Sequence, residues 1–113
     1  MTSPREQASV PTRVWKFPLP MPDERGRVFI DMPAVVEPLS VGLQDDEMFV
    51  WALVCPDAVP EPYEENHGPR RFIVANTGSE IADFPEGASF LGTVTTSNRM
   101  VWHVWDGDAE TTA

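Results

Sequence analysis

The chain has a single cysteine, Cys55, which excludes any disulfide within it. A secreted, disulfide-stapled scaffold is set aside on the same ground, and a reducing bacterial cytoplasm is the expected compartment. Cys55 closes an apolar run, the position of a small buried hydrophobe rather than of a nucleophile. Bases are scarce as well: eight Lys and Arg against eighteen Asp and Glu leave a net charge of −10 at pH 7. That field disfavours adhesion to DNA, RNA or an anionic membrane. The acids read first as solvated surface that keeps the chain soluble. Imitation of a phosphate backbone by those acids is allowed physically but has less support. No hydrophobic run approaches the length of a membrane span, and Met1-Thr2-Ser3-Pro4-Arg5-Glu6 lacks the apolar stretch of a secretory leader.

Residue clusters that carry chemistry are missing too. Only two histidines are present, His67 and His103, far apart in sequence and without zinc-type spacing to Cys55, so no metal or other cofactor is expected. The seven glycines are scattered singly, which leaves neither a phosphate-cradling loop nor a Gly-x-Ser-x-Gly elbow. The acid pairs Asp45-Asp46 and Glu64-Glu65 sit in turn-like surroundings, where carboxylates are usually solvated. A non-catalytic protein is the expectation.

Proline is abundant, with twelve spread along the 113 residues, and no window is left in which a long amphipathic helix runs unbroken. The segments between prolines are rich in Val, Ile, Phe, Trp and Thr, which suit a pleated, half-buried surface. The predicted strands are Thr12 to Phe17 as an edge strand, Arg27 to Met32, Leu39 to Leu43, Met48 to Cys55, Arg70 to Asn76, Ser89 to Thr95 and Arg99 to Trp105. Met48 to Cys55 is apolar on both faces and reads as a central strand. Phe90, Gly92 and Val94 are expected on one face of their strand, which turns back at Ser97-Asn98, with Asn98 in the left-handed conformation. Ile81 to Ala88 reads as a loop or a single helical turn.

About seven short strands predict an all-β fold, a small antiparallel β-sandwich or partly open barrel. The single domain spans 11–106 and contains an acidic, proline-rich loop at 57–69. Residues 1–10 and 107–113 are expected to be flexible tails.

Candidate binding residues follow from what is left. Four tryptophans are many for so short a chain, and Trp15 and Trp105, both near strand ends, are expected to be partly exposed and to serve as anchors. His103 alternates to the same side as Val101 and Trp105, either as a satisfied core or rim histidine or as a pH-sensitive or hydrogen-bonding contact to a partner. Arg70-Arg71 is the only adjacent basic pair, able to grip a phosphate or carboxylate, or simply to pair with Glu64 or Glu65. Glu61, Glu64 and Glu65 place acid in the long loop.

The order of Trp15-Lys16-Phe17-Pro18-Leu19, Val50-Trp51-Ala52-Leu53-Val54 with Pro56, Thr77-Gly78, Phe90-Leu91-Gly92-Thr93 and Val101-Trp102-His103-Val104 resembles a family of small uncharacterised all-β proteins encoded by bacteriophages and bacterial genomes. The resemblance spans residues 13 to 105, implies a viral setting and supplies no catalytic residues. The extended loop Asp57 to Gly68 and the polar tails depart from the compact pattern. The expected function is therefore a phage-encoded accessory protein that binds a host or defence protein through a Trp-bearing sheet face or the acidic loop. A minor virion component and a nucleotide-sequestering protein are the alternatives; homo-oligomerisation stays open, and no direct nucleic-acid or membrane contact is expected.

Overall fold

The structure, a computed structural model, describes residues 12–32, 35–55 and 69–109. Its seven strands are β1 (Arg13–Pro18), β2 (Arg27–Ile30), β3 (Val35–Gln44), β4 (Glu47–Val54), β5 (Arg70–Asn76), β6 (Ser89–Thr95) and β7 (Val101–Asp106). They form two antiparallel sheets, one ordered β1-β4-β3 and the other β2-β5-β7-β6, packed as a small sandwich without a closed barrel. No helix among the described residues is long and apolar enough to cross a membrane.

Strand β4 is central to its sheet, as its unbroken apolar run predicts. Met48, Val50, Ala52 and Val54 are buried on the inner face, while Phe49, Trp51 and Leu53 are half-buried on the outer one. Strand β1 lies at the edge. The Leu19 amide donates to the Met48 carbonyl at 2.9 Å, in the same register that pairs Phe17 with Val50. Odd-numbered residues of β1 thus turn their amides to β4, and Pro18, which has none to give, occupies a slot facing away from the sheet.

The core between the sheets gathers Val28 and Ile30 of β2, Val50 of β4, Phe72 and Val74 of β5, Val94 of β6, and Trp102 and Val104 of β7. The sheets approach most closely where β6 crosses β3. A Cβ placed on Gly92 would stand 3.1 Å from Val41 Cγ1, so a side chain there would push the layers apart. One expectation changes at this strand. Pairing slips between Phe90 and Gly92, a β-bulge that places Leu91 against the core and leaves Phe90 opposite Trp105 on the outer face, while Gly92 and Val94 stay inward.

Strand β5 departs from simple alternation: Phe72, Ile73, Val74 and Ala75 are all buried. The cause is the connector from Thr77 to Ala88, which lies over the outer face of this sheet. Arg27, beside Ile73 in the ladder, donates from its guanidinium to the carbonyls of Ala82 (2.6 Å) and Asp83 (2.9 Å), and Arg25 pairs with the Asp83 carboxylate. Arg27, expected on an exposed face, is buried for the same reason.

The turns carry the remaining strain. Asp45 and Asp46 both have positive φ, closing the β3–β4 hairpin with two residues, and the Asp46 carboxylate accepts from the Ser97 hydroxyl (2.7 Å) in the neighbouring hairpin. In that second hairpin the left-handed residue is Arg99 (φ 68°) rather than Asn98. Its amide donates to the Thr96 carbonyl and the Thr96 amide donates to Met100, the pattern of a turn followed by a bulge in which glycine is the usual occupant.

Ahead of β2, the Asp23 carboxylate accepts from the backbone amides of Arg25 and Arg27, each at 2.9 Å. These bonds, that from Arg27 first, hold its carboxyl below the ordinary value of 3.8. A depressed folded-state value stabilises the fold above pH 3.8 and loses that contribution as pH falls through the folded value. Asp23→Asn is therefore expected to lower the thermal midpoint near neutral pH, with the gap from the parent narrowing steadily below pH 4. A gap that stays constant down to pH 2 would rule out this linkage.

Candidate functional site

Alternation along β7 sends Trp102, Val104 and Asp106 inward and Val101, His103 and Trp105 outward. Trp105 is half-buried and lies at the centre of an aromatic cluster. Phe90, directly across the ladder, meets it at 5.6 Å between ring centroids, and Phe84 from the connector meets it edge-on at 5.3 Å and 85°. Both geometries favour the ring quadrupoles. Phe84 is 45% exposed and Phe90 56% exposed, so three rings, joined through Trp105, face solvent on one sheet face. The partial exposure of Trp105 was legible in the sequence. Its two companions were not, because Phe90 needs the bulge to face outward and Phe84 needs the connector to return across the sheet.

His103 stands next along the strand, its ring 6.5 Å from Trp105. Both ring nitrogens have hydroxyl partners: Nε2 lies 2.8 Å from Thr77 Oγ1 and Nδ1 lies 3.0 Å from Thr93 Oγ1. A hydroxyl can donate or accept, so this cradle accommodates either imidazole tautomer.

The other sequence candidates are placed elsewhere. Trp15 is 39% exposed on the edge strand β1, tilted against Phe17 in the opposite sheet from Trp105. Arg70 turns inward and forms a two-point bond with Asp106, Nε to Oδ1 at 3.1 Å and Nη2 to Oδ2 at 2.7 Å. Arg71 lies along the turn after β7, where its amide donates to Asp108 Oδ2 (2.6 Å) and its Nη2 to the Gly107 carbonyl (3.0 Å). A Cβ on residue 107 would stand 3.0 Å from the Arg71 carbonyl oxygen and 3.1 Å from its Nε, which explains glycine at that position. Gly107 and Asp108, read from sequence as the start of a tail, are thus bonded to β5, and the arginine pair braces the fold through Asp106 and Asp108. Glu61, Glu64 and Glu65 lie outside the described residues.

A second exposed apolar face exists on the three-stranded sheet, where Phe49 and Trp51 are tilted together at 6.1 Å. There the Lys16 ammonium already covers the Phe49 ring at 4.5 Å, and Trp51 lies over Gly42, whose added Cβ would meet the indole at 3.3 Å. Among the described residues no cation covers the rings around Trp105.

Among the described residues no three His, Cys, Asp or Glu side chains converge on a point that could hold a metal ion. Residues 11–113 match a family described as a domain of unknown function, DUF7352. None of the curated proteins and none of the solved structures compared with the chain matches it.

Proposed function

The chain belongs to this family of domains of unknown function, and we propose that it is a non-catalytic protein-binding module whose contact surface is the outer face of the four-stranded sheet. One observation carries the reading: Phe84 and Phe90 each pack against Trp105 while both expose about half of their surface. The bulge that sends Leu91 to the core leaves Phe90 on the outer face, opposite Trp105. A cluster of preorganised aromatic rings offers an anchor with little side-chain entropy left to lose on binding. His103, with Thr77 and Thr93, forms a polar border to that cluster. In the phage setting implied by the sequence resemblance, the partner is a host or defence protein met in the bacterial cytoplasm.

Phe90→Ala and Trp105→Ala are the test. Each is expected to weaken capture of the partner by about 30-fold or more, corresponding to the ~2 kcal/mol loss typical of a hot spot. Phe49→Ala, on the other sheet, should leave it unchanged. Affinity chromatography against host lysate, followed by titration of the recovered partner, measures both. Equal capture by all three variants would refute the assignment of the face, and recovery of the protein as a stoichiometric part of purified particles would move it to the virion.

A further inference from the structure

We propose that the cleft between the β5–β6 connector and the β6–β7 hairpin is a binding site for an oxyanion, with Arg99 as its charged ligand. The cleft, of about 460 Å³, is bordered by Asn76, Thr77, Gly78 and Ser79 on one side and by Arg99 to Val101 on the other. This proposal does not depend on the protein-binding reading.

Charge is the first argument. The chain has ten more acids than bases, yet none of the described residues that border this cleft is an acid. Arg25, Arg70 and Arg71 each pair with an aspartate, whereas the Arg99 guanidinium has neither an ion pair nor a hydrogen bond among the described residues. Its planar fork is suited to two parallel bonds with phosphate or carboxylate oxygens.

Donors are the second argument. The Ser79 hydroxyl and the Gly78 amide border the cleft without a hydrogen-bond partner, and the space beside Gly78 is open to 4 Å. The Thr77 hydroxyl is held by His103 Nε2 at 2.8 Å. With the ring donating from that nitrogen, the hydroxyl proton of Thr77 is directed away from it and can be offered to an anion.

The third argument is the backbone at Arg99. A left-handed residue in this turn would be cheapest as glycine, and a long cationic side chain is retained there instead (φ 68°). Folding preference and the observed residue therefore conflict at the one position that supplies charge to the cleft.

The conflict provides a test in which stability and binding move in opposite directions. Amide chemical shifts of the full chain are followed while inorganic phosphate or acetate is added at constant ionic strength, with chloride as the control. Saturable shifts at Thr77, Gly78 and Ser79 are expected with at least one oxyanion, and the tighter of the two identifies the ligand as phosphoryl or carboxylate. Arg99→Gly should weaken that affinity at least tenfold while its thermal midpoint stays level or rises. Ser79→Ala, at an exposed position, should weaken it several-fold. The proposal is overturned by shifts that chloride reproduces, by the absence of saturation with either oxyanion, or by undiminished affinity in either variant.

Discussion

Asp106→Ala is expected to remove about 3–5 kcal/mol of folding stability, a large share of the roughly 5–15 kcal/mol that holds a domain of this kind together. The side chains of Arg70 and Asp106 are only 11% and 5% exposed, so water solvates neither charge well. Asp106 Oδ1 also accepts from the Asp108 amide at 3.1 Å, so the same carboxylate fixes the turn that follows β7. Alanine takes away the two-point partner of an interior guanidinium and the anchor of the turn in one step. The cost arises from removing the two-point partner of a buried guanidinium more than from losing attraction, since a desolvated ion pair contributes little net stability over apolar residues of similar volume. Arg70→Met with Asp106→Leu should therefore recover much of the loss. Urea unfolding measures all three proteins, and the comparison holds if the slopes agree. An Asp106→Ala variant within 1 kcal/mol of the parent would contradict this account.

This pair also marks where sequence reasoning reaches its limit. An adjacent Arg70-Arg71 following an acidic loop invites pairing with the nearest acids in sequence. Glu64 and Glu65 lie outside the described residues; the aspartate partners arrive from β7 and the turn beyond it, because β5 pairs with β7 and brings Phe72 level with Asp106. Strand order brings these two aspartates to the arginines, and strand order is not written in local periodicity.

The strands themselves were legible for the opposite reason. Prolines and turn residues bound each run, and alternation within a run is a local property, so the outward set Val101, His103 and Trp105 could be read directly. Alternation failed where something non-local intervened. At β5 the returning connector buries Ile73 and Ala75 on what would otherwise be a solvent face; at β6 one extra residue reverses Phe90. The left-handed residue at Arg99 failed in the same manner. Asn98 is the better candidate by propensity, but the register of the β6–β7 ladder, in which Thr95 meets Val101, places the positive φ one residue later. The aromatic cluster and the Arg99 cleft both depend on such non-local features. That is why the sequence offered Trp105 and His103 and withheld Phe84, Phe90 and Arg99.

Two phenylalanines make the distinction measurable. Phe72→Ala is expected to cost about 3–5 kcal/mol, the range for truncating a buried aromatic side chain. Phe72 has no exposed surface, sits on β5 with β2 and β7 on either side, and packs among Val28, Val74, Val104 and Val50 of the facing sheet. Neighbours drawn from two sheets and several strands cannot all relax into the space left behind, so the cavity cost adds to the lost transfer energy. Phe90, with 56% of its surface already in water, lacks such an enclosure. Phe90→Ala should cost no more than about 1 kcal/mol, mainly the ring contact with Trp105. Yet it is this substitution that should weaken partner capture by about 30-fold or more, while Phe72→Ala acts on capture only by unfolding the chain. Thermal and denaturant midpoints, with near-ultraviolet circular dichroism as a check on packing, separate the two. Comparable losses of stability in both variants would mean that Phe90 belongs to the core, and the outward turn at the β6 bulge would then have no bearing on binding.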